Sequence, residues 1–547
     1  MSEQAGRVRS NSKIRFSHPV AFWVATACCT VGVLLHLPMY YDARSMGYQM
    51  SGMTPDAPMI LGMALILAGL AIAVYALVPG RAAGAGRTAA PIRVRALDEA
   101  PIRRQHVALL LVLALAVTID VMKPISLSFV SPGVAREYGL RPANPHGALP
   151  VAWLPFCGIA GTVVGSWLWG SLGDRMGRRA SILLAGLLFT TTSICGAMPG
   201  FSWNLFMCFM MGIGVGGLFP VGFTLLVETI PARHRGWLMV LIGGNAALAY
   251  VLTSWLAATL TPTYSWRILW LIGLPTGLLL IALNRWIPES PRFLLERGER
   301  EAAEEIMAYY GAARVEEREP AGAAVEPAHT PRGRIGDLLR PPLGGPTLAI
   351  TVLAVGVGLV TYGFQLWVPT NLQKLGFTAV ASDYVVRNAA VIGLPFTVLL
   401  AWMYGAWGSR RTILAAAAVT AASLAVFAIA GGSLAHHRTL LSLLLVVPLS
   451  AVGTIAAVVA GYAAEVYPTP IRSRGAGWAA GMTKAGGILI LTVAVSSKSV
   501  PSISATALIG AVPLVLAVVT FAFLGPETRR RPLEEISPLE AEGATVS

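Results

Sequence analysis

Apolar residues in this chain come in long unbroken runs separated by short polar segments. They do not alternate as in a half-buried strand, nor form the one-sided stripe of a surface helix. A first pair of runs covers about 19–40 and 57–79. Twelve more follow at about 106–130, 149–169, 180–198, 202–226, 237–260, 267–286, 346–370, 384–404, 412–431, 439–464, 478–497 and 504–524. A helix of about 20 apolar residues matches the hydrocarbon thickness of a bilayer. The pattern therefore predicts an all-α polytopic membrane protein with fourteen helices. The polar segments divide the chain into a tail, two-helix hairpin and basic linker (1–105), a six-helix half (106–286), a long loop (287–345), a second six-helix half (346–525) and a tail (526–547). Within the long loop, Ser290 to Tyr310 reads as helical, because Glu301, Glu304 and Glu305 share one face. Residues from about Ala312 to Gly333 read as a linker.

Composition agrees with lipid surroundings. Of 547 residues, 55% are apolar and 12% charged, against about a quarter charged in soluble domains. The net charge of +14 needs no nucleic acid to explain it, because arginine collects in loops that stay inside. Of the 41 lysines and arginines, eight fall in loops on the predicted outer side and two, Lys123 and Lys484, within helices. The remainder lie on the side that this bias makes cytoplasmic, together with both termini. The five cysteines all lie in apolar runs and read as buried hydrophobes. The first apolar run is longer than a signal-peptide core, and no small-residue cleavage site follows it.

The turn Gly170-Ser-Leu-Gly-Asp174-Arg175-Met-Gly177-Arg178-Arg179 separates two of the runs. One acid and three arginines cannot sit in hydrocarbon, so it reads as a tight cytoplasmic turn. A weaker echo, Gly408-Ser409-Arg410-Arg411, lacks the acid and has Gly405-Ala406 in place of Asp174-Arg175. Other segments recur too. Glu228-x-x-Pro231-x-x-x-Arg235 returns as Glu465-x-x-Pro468-x-x-x-Arg472, and Pro288-Glu289-Ser290 as Pro526-Glu527-Thr528. Echoes in register imply two six-helix halves in parallel repeat, with a binding site between them near the midplane.

These segments, with Trp266-Arg267 and Pro288-Glu289-Ser290-Pro291-Arg292, resemble the motifs of the sugar-porter branch of the major facilitator superfamily over about 106–536. That branch includes organic-ion and aromatic-acid carriers. The first hundred residues lie outside the resemblance, and two N-terminal helices would be extra to the usual twelve. The resemblance implies alternating access by rocking of the two halves. It also implies a cytoplasmic gate in which Asp174, Arg175, Arg178 and Arg179 join Glu228 and Arg235, with Arg410, Arg411, Glu465, Arg472 and Arg474 as the second-half network. Two departures argue against a plain hexose carrier. Cys208 stands where sugar porters usually carry an arginine in the fourth helix, and the paired glutamines of the seventh helix are absent around Tyr362, Gln365 and Trp367.

Ionisable residues at membrane depth are costly and therefore candidates for function. The first core helix holds Asp120 and Lys123, three residues apart and so on one face. The pattern resembles the Asp-Gly-x-Asp segment of aromatic-acid carriers, with Lys123 in place of the second acid. Three readings stay open: Asp120 carries a coupled proton, Lys123 binds an anionic group of the solute, or the two form an intrahelical ion pair. Lys484 in the eleventh core helix is a further candidate, and it could instead reach the cytoplasmic surface. Asn245, Tyr362, Gln365 and Thr454 are uncharged candidates that could equally serve as helix-to-helix hydrogen bonds. Trp153 and Trp367 could stack on a ring. The run Gly212-x-Gly214-x-Gly216-Gly217 reads as close helix packing, not a nucleotide loop.

No nucleophile–base set or redox motif is present, so no enzyme, cofactor or metal ion is expected. The expectation is a multi-pass, monomeric secondary active transporter of the cell (plasma or inner) membrane. Its partners would be the lipid bilayer, protons and a small polar or anionic organic solute, organic acid or sugar-like, carried by symport. The alternatives are an exporter of amphipathic compounds and a non-transporting receptor or sensor on the same fold.

Overall fold

A computed structural model describes residues 18–77, 95–140, 150–312, 335–365, 368, 371–372, 375–377, 379–431, 433, 438–496, 502–529 and 531. The helices are α1 (Pro19–Leu34), α2 (Ala57–Leu77), the one-turn α3 (Arg95–Asp98), α4 (Arg104–Glu137), α5 (Trp153–Met176), α6 (Arg178–Thr191), α7 (Phe201–Thr229), α8 (Ala232–Gly243), α9 (Ala246–Tyr264), α10 (Ile268–Leu271), α11 (Gly273–Ala282), α12 (Pro291–Glu296), α13 (Arg300–Tyr310), α14 (Gly344–Leu359), α15 (Ala379–Trp407), α16 (Ser409–Ala430), α17 (Arg438–Val466), α18 (Arg472–Ser496) and α19 (Ile503–Leu524). No strand occurs among the described residues. Among the described residues, twelve helical segments are long and apolar enough to cross a membrane, α8–α9 and α10–α11 each counting as one. The long helices α5 and α15 occupy two further predicted runs; Asp174 and Arg175 stand in the last turn of α5.

Two large apolar clusters organise the bundle. One joins α4 to α11, takes in Phe22, Cys29 and Ala73 of the hairpin, and reaches Leu97. The other gathers α14 to α19. A third, smaller cluster seats Met39, Tyr40, Tyr48 and Met50, between α1 and α2, on Ile194, Met198 and Leu271. Small residues let the helices approach. A Cβ on Gly161 would strike the Phe209 carbonyl, and one on Gly212 the Gly158 carbonyl, so α5 and α7 cross backbone to backbone. The glycine run of α7 is thus a packing surface. In the hairpin, Gly32 and Gly62 face each other's carbonyls in the same way.

The hairpin is tied to the core by polar contacts. The backbone N–H groups of Met50 and Ser51 donate to Glu137 Oε1 (2.8 and 3.1 Å), and Tyr40 donates to the Tyr264 carbonyl (2.7 Å). Glu137 also accepts from Trp266 Nε1 (2.9 Å) and pairs with buried Arg267 (2.5 Å), whose guanidinium holds the Met198 carbonyl. Trp266-Arg267 is therefore a structural clamp at the end of the bundle opposite the Gly170–Arg179 turn. The end carrying that turn is called the inner end below, after the arginine bias.

The repeat is visible in how two helices begin. Gly177 (φ 102°) precedes α6 and Gly408 (φ 106°) precedes α16, both in the left-handed region that favours glycine. At each, a carboxylate from a distant segment accepts the orphan N–H groups of the first turn. Glu289 accepts from Arg178 and Arg179 (2.8 and 3.2 Å), and Glu527 from Ser409 and Arg410 (2.8 and 3.3 Å). The pairing fixes a register: Arg178 corresponds to Ser409 and Arg179 to Arg410. This is the register that sets Gly405-Ala406 against Asp174-Arg175. One arginine is conserved between the copies, and the other is a serine.

Candidate functional site

At the inner end, α5 finishes against the start of α18, in the other half. Asp174 accepts backbone N–H bonds from Ser473 and Arg474 (both 3.0 Å), so it caps a helix across the interface between halves. Its carboxylate lies 3.6 Å from Arg178, which is fully buried. Arg178 pairs with Glu228 at 2.9 Å, and Glu228 pairs with Arg472 of the opposite half at 3.0 Å. The Phe293 ring lies under the Arg178 guanidinium, 5.0 Å from its centroid. Burial makes these pairs matter, because a charge left without its partner there costs several kcal/mol.

The mirror-related crossing is built differently. Arg235 reaches across to Glu465 at 4.0 Å, the outer limit of an ion pair. Glu465 is satisfied mostly by hydroxyls, from Tyr404 (3.1 Å) and Thr528 (2.6 Å). Arg235 takes its other bonds from Asp98 (3.5 Å), the Arg531 carbonyl (3.3 Å) and the Val227 carbonyl (3.4 Å). The remaining arginines of the expected gate sit elsewhere. Arg179 donates to Asn284 at the end of the sixth core span (2.9 Å), and Arg410 to the Ala522 carbonyl at the end of the twelfth. These two brace neighbouring helices within a half. Arg175 and Arg411 are exposed, while Arg474 is buried with its backbone N–H on Asp174.

Sequence reasoning did not find Asp98, which pairs with Arg292 at 3.0 Å, and it assigned no individual role to Arg292, Glu289 or Glu527. The glutamates carried a signal in their repeated Pro-Glu-Ser/Thr setting. Asp98 carried none, being one acid in a basic linker. Burial raises the Glu289 carboxyl above the usual glutamate range, against the pull of the backbone N–H groups and Arg178.

In the middle of the bundle, Asp120 and Lys123 part company, which corrects the expectation that they face one cavity together. Lys123 turns into its own half. Its Nζ donates to the Trp270 carbonyl (3.2 Å) and sits 4.8 and 5.5 Å from the Phe189 and Trp270 ring centroids. A Cβ at residue 273 would collide with this ammonium, so Gly273 makes the space for it. Cation–π attraction and the carbonyl hold the charge there. A cavity of about 20 Å³ beside it, lined by Ser126, Thr253 and Thr276, has room for one water. No Asp120–Lys123 ion pair occurs among the described residues. Residues three apart on a helix differ by about 60° in direction, enough for the two side chains to part.

Asp120 is 3% exposed, and its Oδ1 has no hydrogen-bond partner among the described residues. Lys484 of α18, in the other half, is half-buried. Asn371, beyond the π-helical turn Val360–Phe364 that follows α14, is 2% exposed, with both amide atoms unpartnered among the described residues. Gln365 donates to the Leu449 carbonyl of α17 (3.2 Å), and the Tyr362 ring packs on Gly487 of α18. Asn245 bonds the Ala114 carbonyl of α4 (3.5 Å), and Thr454 pairs with Thr397 (3.1 Å). These last two act as helix-to-helix bonds. Trp153 packs edge-on to Phe156, and Cys208 is buried. Trp367 lies outside the described residues.

Residues 131–539 match the family model described as sugar (and other) transporter. The chain belongs to that family. The match begins inside α4, so the hairpin lies outside it. This transporter is 26% identical to the niacin transporter NiaP of Acinetobacter baylyi over 454 residues, covering 81% of this chain and 99% of that one. It is 29% identical to the human putative transporter SVOPL over 461 residues, covering 79% and 91%. Among solved structures, the proton:xylose symporter XylE bound to 6-bromo-6-deoxy-D-glucose superposes with a TM-score of 0.65 at 22% identity, covering 80% of this chain and 98% of that one. That likeness shows the major facilitator fold. The protein is a multi-pass membrane transporter and not an enzyme.

Proposed function

We propose that this transporter is a secondary active carrier of a small anionic or polar organic solute, coupled to protons, working by alternating access in a cell (plasma or inner) membrane. The observation that carries the reading is Asp120. A nearly fully buried carboxylate with an unbonded oxygen is costly to keep charged and suited to taking up a proton. Lys484, in α18 of the other half, is the group suited to an anionic solute, whereas Lys123 is committed to its aromatic cradle and acts as a structural pin. The unpartnered amide of Asn371 offers both a donor and an acceptor to a bound solute. The niacin transporters among the relatives make an aromatic carboxylate the first solute to try.

Alternating access has a physical basis at the inner end. The pairs Glu228–Arg472 and Arg235–Glu465 and the Asp174 cap all cross between the halves. They hold that end closed here, and their groups would be rehydrated when it opens. Two states of comparable energy result, which a bound solute and proton can bias. The test is uptake of nicotinate into proteoliposomes under an imposed inward proton gradient. Wild-type protein should accumulate solute, and Asp120→Asn should lose gradient-driven accumulation. Lys484→Gln should raise KM for carboxylates at least tenfold while sparing neutral analogues. Undiminished accumulation by Asp120→Asn would remove the coupling role.

A further inference from the structure

The two charge pairs that cross between the halves are unequal, and a residue outside both sequence repeats makes up the difference. Arg472 meets Glu228 at 3.0 Å, whereas its counterpart Arg235 stands 4.0 Å from Glu465. Arg235 is 1% exposed and needs a nearer counter-charge. It receives one from Asp98, whose Oδ1 lies 3.5 Å from Arg235 Nη2 and whose Oδ2 lies 3.0 Å from Arg292 Nη2. The Asp98 side chain is 7% exposed. Its helical turn is fixed by Leu97, which is 2% exposed and belongs to the apolar cluster of the first half. Arg235 belongs to that same half, and Arg292 to α12 in the loop that follows it. Neither arginine held by Asp98 lies in the second half, whereas the Glu465 and Arg531 contacts of Arg235 run to that half and its tail.

We propose that Asp98 is a positioning residue for the inner gate: it holds Arg235 from the side of its own half. When the halves part, Arg235 loses Glu465 and the Arg531 carbonyl but keeps Asp98. While they are closed, Asp98 draws Arg235 back from Glu465. Both effects favour opening. At the tight crossing Arg472 gives its charge to Glu228 across the interface, and Arg178 holds that glutamate from its own half. In the second half the acid at the matching approach, Asp337, pairs with Arg340 at 3.6 Å, and that arginine is 77% exposed.

The inference rests on the alternating-access reading, and one experiment separates the two. Spin labels at Arg233, in the first half, and at Leu339, next to Leu338 of the second half's apolar cluster, both exposed, report the distance between halves by pulsed electron resonance in lipid nanodiscs. Wild-type protein should show a short and a long population; a single population under every condition of pH and solute would overturn alternating access itself. Asp98→Asn should shrink the long, inner-open population about tenfold, as expected when a buried arginine turns to its one remaining acid. It should slow solute uptake by a similar factor with KM unchanged. Asp98→Glu should restore both. Adding Glu465→Gln to Asp98→Asn should recover the open population, because the competing acid is then gone. Asp98→Ser serves as the second charge-removing variant if the asparagine form is not monodisperse. A wild-type distance distribution in the charge-removed variants, or a shift toward the open form, would overturn the proposal.

Discussion

The two copies of the inner turn start from one backbone plan and end with different chemistry. In the first, Asp174, Arg178 and Glu228 form a buried ionic chain that runs on to Arg472 in the other half. In the second, the same positions are Gly405, Ser409 and Glu465, and the bonds to Glu465 come from the hydroxyls of Tyr404 and Thr528. What both copies keep is the left-handed glycine and the distant glutamate that caps the next helix. The comparison separates two jobs. Starting a helix at a sharp turn needs the glycine and the cap, and both halves need it. In the proposed alternating access, closing the gate would need charge across the interface, and one strong crossing with one weak crossing would give a closed state that can still open.

The largest effect should come from the ionic copy. Glu228→Gln leaves Arg178 and Arg472 buried with no carboxylate between them, which should destabilise the closed state by about 3–5 kcal/mol. Thermal unfolding in detergent and the inner-end distance distribution both read it. The corresponding Glu465→Gln should cost far less, about 1 kcal/mol, because two of its three partners are neutral hydroxyls. Equal losses at the two sites would erase the proposed asymmetry.

Next in size is the cross-half cap. Asp174→Ala should cost about 1–2 kcal/mol of closed-state stability, the usual worth of a helix N-cap. Gly405 has no such role to lose, since it lies against Trp237. Gly405→Ala should leave the gate unchanged within about 0.5 kcal/mol.

The caps within each half should behave alike. Glu289→Ala and Glu527→Ala should each lower stability by about 1–2 kcal/mol, in contrast to the unequal pair above. The smallest expected effect is one of pH. The Glu289 carboxyl is raised by burial, so the folded protein holds that proton more tightly than the unfolded chain does. Its contribution to stability is therefore greatest at low pH and is lost as pH rises from the ordinary glutamate value through the raised one. Wild type should lose melting temperature across that window relative to Glu289→Gln. A melting curve whose pH dependence is the same in both proteins would contradict the raised carboxyl.

Much of this plan is legible in the chain because hydropathy and repeated motifs are local signals. The unbroken runs located the helices, and the Glu-Pro-Arg and Pro-Glu-Ser echoes revealed the two halves. What stayed hidden depends on side-chain direction and distant partners. Asp120 and Lys123 are close in sequence, yet Gly273 and two aromatic rings from other helices draw the lysine away. The echo of the second turn is faint because Ser409 stands where the first copy has Arg178, and only the glycine and the capping glutamate mark the shared geometry. Asp98 was invisible because its meaning lies in Arg235, more than a hundred residues further on.

The central claim is that Asp120 carries the coupled proton, and proton movement itself tests it most directly. Proteoliposomes without an imposed gradient are given nicotinate outside, and external pH is followed beside radiolabelled counterflow. Wild type should show alkalinisation that tracks solute entry. Asp120→Asn should retain counterflow of solute while the pH trace stays flat. Solute-driven alkalinisation of wild-type size in Asp120→Asn would contradict the account.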